Sequence, residues 1–212
     1  MTNLVQAKAL LALFIQEKIE TPENTSDLSK VRFKINMFRD VIDKTWEQTQ
    51  PHPEMTKAAA LTFLKLGACQ ELAMRVVVEY LSRFKTPNVS MVFTSNEHNE
   101  KENHCFTLIG QPIAHDGLIM RTGALAQKKF YIPIRQFLDQ QSDNTAMADP
   151  LLNCAEAANG PCKPLLDYCS RNHITHVTGV FTFPKECISQ VPKIKDNAMR
   201  LSEVIAKLFK FV

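Results

Sequence analysis

The chain has 212 residues, of which 45% are hydrophobic and 22% charged. That is enough apolar material for one globular domain, or one domain with a helical appendage. A net charge of +3, with lysines and arginines spread along the chain, argues against nucleic acid as a partner. Six cysteines without a CxxC pair, no signal-peptide pattern, and no apolar run near the ~20 residues of a bilayer span argue against a disulfide scaffold and a membrane span. The thiols read as reduced. The expected location is a cytosol, or a host cell reached from a bacterium without a cleaved signal.

In chain order, Leu4 to Ile19 reads as a helix, because Leu4, Ala7, Leu11, Phe14 and Ile15 share one face. The segment from Thr21 to Thr25, with Pro22, breaks it. Ser26 suits the N-cap of a second helix to about Glu47, striped by Val31, Ile35, Phe38, Ile42 and Trp46. Pro51-His52-Pro53 forbids helix, since each proline removes a donor and biases its predecessor towards extended geometry. A third helix is expected from Glu54 to Leu66, ended by Gly67. A fourth runs from Cys69 to Phe84 and is apolar enough to be central.

The period then shortens. Val89–Thr94, Cys105–Gly110, Gly117–Thr122, Lys129–Ile134 and Val177–Phe183 are rich in β-branched and aromatic residues and separated by turn signals, so they read as strands. Val191-Pro192 precedes a last helix, Asn197 to Phe209. Helices, then antiparallel strands, then a helix predict an α+β fold. The expected layout is one domain: a helical N-terminal extension over residues 1–50, a core over 54–155 that bears the candidate site, and a strand and helix within 156–212 that complete it.

Three residues in that core stand out by context. Cys69 lies in Gly67-Ala68-Cys69-Gln70-Glu71 at a helix start. His104 opens a strand in Asn103-His104-Cys105-Phe106. Asp149 follows in Ala148-Asp149-Pro150. A cysteine attacks as its thiolate, a form favoured by helix N-terminal amides and by a neighbouring imidazole. The same amides suit an oxyanion hole. A carboxylate on the second imidazole nitrogen fixes the tautomer. Alone, Cys69 reads as a core thiol, His104 as a strand-end surface residue and Asp149-Pro150 as a turn. Their order and contexts together favour a nucleophile, a base and an orienting acid.

Gly67-Ala68-Cys69 with Glu71 and Ala73, His104 with Phe106 and Ile109-Gly110, and Asp149-Pro150 together resemble the papain-like and transglutaminase-like cysteine enzymes. The resemblance covers roughly residues 60–155. It implies a helix carrying the cysteine packed on an antiparallel sheet. It also implies a Cys-His-Asp enzyme that cleaves or transfers amides through a thioester: a protease, a glutamine deamidase or a transglutaminase-type acyl transferase. The nearest likeness is to bacterial secreted effectors, which implies a host protein as substrate. Arylamine N-acetyltransferases are a more distant likeness. Acetyl transfer of that type, and an inactive protein-binding module of the same fold, are the alternatives. In these families the acid follows the histidine more closely than Asp149 follows His104, so Asp116, in His115-Asp116-Gly117, is the competing acid. Gln48 and Gln50 are the upstream candidates for a side-chain oxyanion donor.

Other motifs read more plainly. Cys162, Cys169, His173 and His176 are zinc-ligand types, but the first spacing is too long for a knuckle. They read as loop thiols and surface histidines, and no metal or cofactor is expected. Lys193, Lys195, Arg200, Lys207 and Lys210 make the last helix basic beside an apolar stripe, which reads as a docked terminal helix with a solvated face.

Overall fold

The computed structural model describes residues 2–22, 24–45, 52–96, 103–111 and 132–209. Trp46, Gln48, Gln50, Asp116, the expected strand 117–122 and residues 129–131 of the next lie outside the described residues. The fold is α+β, as the order of periodicities predicts. The elements are α1 (Asn3–Glu17), α2 (Leu28–Thr45), α3 (Pro53–Phe63), α4 (Cys69–Phe84), β1 (Val89–Ser95), β2 (Asn103–Ile109), β3 (Ile132–Pro133), α5 (Ile134–Asp139), β4 (Ala146–Asp149), β5 (Cys154–Ala157), α6 (Lys163–Arg171), β6 (His176–Thr182) and α7 (Glu186–Phe209). Among the described residues all strand pairs are antiparallel, in the order β3-β6-β1-β2-β4-β5.

Alternation on the central strands sorts side chains into two cores. Met91 of β1, Cys105 and Ile109 of β2, and Ala146 and Ala148 of β4 face α4 and α1. Val92, Phe106, Leu108 and Met147 face the opposite way, towards Phe137 and Leu138 of α5 and Leu165 of α6. A third cluster joins Val31, Ile35 and Ile42 of α2, Ala59 to Leu61 of α3, and Ala198, Leu201 and Ile205 of α7. Residues Ala7, Leu10 and Phe14 of α1 belong to the main core.

Several boundaries depart from expectation. Helix α3 stops at Phe63, and Lys65 at φ 61 makes the left-handed turn expected of Gly67. Gly67 serves close packing instead, because a Cβ there would lie 3.1 Å from Leu72 Cδ2. Helix α7 begins at Glu186 and carries Pro192 inside it. The buried stripe Cys187, Val191, Ile194, Ala198, Leu201 and Ile205 outweighs the one donor that proline removes. Within the described part of the expected strand Lys129–Ile134, Ile132–Pro133 is strand and Ile134 already opens α5. Among the described residues this strand is at the sheet edge, where a proline is tolerated. Elements α5, α6, β4 and β5 occupy stretches without strong periodicity. Among the described residues no helix is long and apolar enough to cross a membrane.

Candidate active site

Helix α4 brings Cys69 into place. It begins at Cys69 itself, so the thiol sits where first-turn amides have no helical partner and the helix dipole favours negative charge. Its N-cap, Ala68, has no side-chain oxygen. Instead the Ala68 amide donates to Glu71 Oε2 at 3.1 Å, half of a capping box. Glu71 Oε1 accepts Arg39 Nε at 2.8 Å and Nη2 at 2.5 Å, which ties the helix start to α2. Thr107 Oγ1 donates to the Ala73 carbonyl at 3.1 Å, which ties its second turn to β2. A cleft of about 200 Å³ flanks this helix start, with Arg39, Lys57, Gln70 and Glu71 on its walls.

Strands β2 and β4 supply the other two side chains. By alternation His104 shares its strand face with Phe106 and Leu108, and Asp149 with Met147, the residues of the second core. His104 Nε2 and Asp149 Oδ2 are 2.6 Å apart, with the two side chains 0% and 1% exposed. Asp149 Oδ1 accepts the amides of Leu151 and Leu152 at 3.1 and 3.3 Å, so the turn after β4 fixes the carboxylate. The His104 carbonyl accepts Thr94 Oγ1 at 3.0 Å. The ring of Tyr168, from α6, lies on the imidazole with centroids 4.8 Å apart.

Burial would push the proton off His104. The charge of Asp149 and its hydrogen bond, with further contributions from the Cys69 thiol, overcome that and raise the imidazole to about 10. Nε2 is taken by Asp149, which leaves Nδ1 to the thiol. Nδ1 is buried and makes no hydrogen bond of regular geometry, while Cys69 still raises the proton affinity of the ring by hydrogen bonding and by charge. Cys69 is thus near enough to act on the ring, although no regular hydrogen bond joins the two.

The remaining thiols differ in kind. All six cysteines are free, and Cys69 alone is not buried. Burial pushes Cys105 well up, Cys154 to about 12, Cys162 to about 11, Cys169 to about 12, and Cys187 upward, so these five are neutral near pH 7.

The structure thus brings Cys69, His104 and Asp149 together. Cys162 and Cys169 instead pack inside the second core, while His173 is exposed and His176 Nδ1 contacts Thr175 Oγ1 at 2.7 Å. Among the described residues no three His, Cys, Asp or Glu side chains cluster as metal ligands would. Tyr168 is the contact that sequence reasoning passed over. Its signal is Leu165-x2-Tyr168-Cys169 behind Pro164, a single short helical stripe with a proline in the first turn. No protein-family model, curated protein or solved structure matches this chain.

Proposed function

We propose that this protein is a cysteine-dependent enzyme acting on amide bonds, with Cys69 as nucleophile, His104 as proton carrier and Asp149 as the acid that orients it. One observation carries this reading. A buried His104–Asp149 pair has its second nitrogen left over beside the one unburied thiol, at a helix start. A helix bearing the cysteine, packed on an antiparallel sheet bearing the histidine and acid, also supports the papain-like or transglutaminase-like reading of the core. The same resemblance makes a host-cell protein, met by a bacterial effector, the proposed substrate.

The chemistry follows from the geometry. His104 holds the proton that Cys69 gives up. Sγ attacks the carbonyl carbon, a C–S bond forms, and the carbonyl electrons move to oxygen, where the first-turn amides of α4 stabilise them. The C–N bond then breaks as His104 Nδ1 delivers its proton to the leaving amine or ammonia. A thioester remains. Water, or an amine in a transferase, loses a proton to Nδ1 as it attacks the thioester, and the sulfur leaves to close the cycle.

The test uses iodoacetamide at pH 6, with mass-spectrometric mapping of labelled peptides. An ordinary thiol of pKa about 8.5 is under about 1% thiolate there, and the five buried thiols are lower still. Cys69 should dominate, and His104→Ala should slow its labelling far more at pH 6 than at pH 9. Comparable labelling of several cysteines, or indifference to His104→Ala, would leave a binding module as the better reading.

A further inference from the structure

We propose that Tyr168 is a positioning residue whose ring packs on that of His104 and sets the plane of the imidazole, so that Nδ1 is held towards Cys69. The proposal rests on the functional reading above, but the contact it starts from does not. A single hydrogen bond at Nε2 fixes one point of the ring and leaves it free to pivot about the line to Asp149 Oδ2. A second contact on the ring face removes that freedom. Tyr168 makes it, with centroids 4.8 Å apart and planes tilted by 48°, within the range where aromatic faces attract. An aromatic ring packed on an imidazolium attracts it more than the neutral form, so this contact adds to the hold on the proton that Asp149 and Cys69 already favour.

The fold holds Tyr168 firmly enough for this role. Leu165 and Cys169, one helical turn apart on α6, are buried in the second core. The Tyr168 carbonyl accepts both the amide and the side-chain nitrogen of Asn172, at 3.1 and 2.8 Å. The ring itself is partly buried against the same cluster as Phe106 and Leu152, while the His104 side chain is left with 0% exposure. Helix α6 therefore brings a rigid aromatic lid from outside the segment that carries the three polar residues.

The experiment compares wild type with Tyr168→Phe and Tyr168→Leu. It uses imidazole NMR titration of His104 and the pH dependence of Cys69 alkylation by iodoacetamide. Phenylalanine keeps the ring face and should behave as wild type in both. Leucine keeps apolar cover but loses the face. It should lower the His104 titration midpoint by about one unit and slow Cys69 alkylation roughly tenfold at pH 6, with rates at pH 9 within about twofold. A Tyr168→Leu protein that is folded by circular dichroism but unchanged in both readouts would overturn the proposal, and so would Tyr168→Phe behaving as leucine does. If His104→Ala leaves Cys69 labelling unchanged, the enzymatic reading fails separately, and the NMR midpoint still decides whether Tyr168 acts on His104.

Discussion

His104 is the residue on which the site turns, because Asp149 contributes most to holding its proton against burial. Removing the Asp149 charge leaves burial as the dominant influence, and burial lowers the affinity of imidazole for its proton. In Asp149→Asn the His104 titration should therefore fall from about 10 towards or below the ordinary 6.5, as NMR can measure, and Cys69 alkylation at pH 6 should slow with it. The pair also links stability to pH. The folded-state value lies above the unfolded one, so its stabilisation is complete below about pH 6.5 and is lost as pH rises through about 10. Urea midpoints of the wild type should decline over that window by more than those of Asp149→Asn. Parallel declines would show that the pair contributes nothing to folding.

At the scale of elements, the seat of α4 matters more than its length. Glu71 is 5% exposed, and its carboxylate is met by Arg39 and by the Ala68 amide. Arg39→Ala leaves that charge with one donor. The Arg39 side chain is 31% exposed, so the loss falls between the surface and buried limits, about 1–3 kcal/mol by urea unfolding. Glu71→Gln, which keeps a hydrogen-bonding side chain without a stranded charge, should cost less; the reverse order would mean that the pair is not what anchors the helix. Helix α4 itself was fully legible, Cys69 to Phe84, because a long apolar run with an internal stripe survives any tertiary context. So was the first half of the sheet, where β1 and β2 are central strands buried on both faces. So was β6, His176–Thr182, expected over Val177–Phe183; β4 and β5 were not. Strands β4 and β5 have four residues each, too few for alternation to show. Helix α6 is amphipathic over only two turns. For α7 the sequence places Val191-Pro192 before a helix that starts at Asn197, because it does not show how much of the earlier segment, from Glu186, packs as helix. The pairing of His104 with Asp149 was legible from their contexts. Tyr168 was not, because its partner is distant in sequence and the helix that carries it was unrecognised.

Across the whole molecule, three separate cores divide the labour between holding the fold and holding the site. The second core, around Phe106, Phe137 and Met147, backs the face that carries His104 and Asp149. The third, between α2, α3 and α7, contains neither. Truncations in the two should therefore look alike in stability and differ in chemistry. Ile35→Ala in the third core should cost about 2–5 kcal/mol, and Phe106→Ala in the second about 3–5 kcal/mol, since Ile35 is 2% and Phe106 0% exposed. Under conditions where both variants remain folded, Ile35→Ala should keep the wild-type preference for Cys69 labelling at pH 6. Phe106→Ala opens a cavity two residues from His104 on the same face, so the imidazole gains room to leave Nδ1 unaligned with the thiol and the preference should weaken. Equal loss of selectivity in the two variants would mean that Cys69 reactivity tracks global stability, and that the site is not seated on the second core.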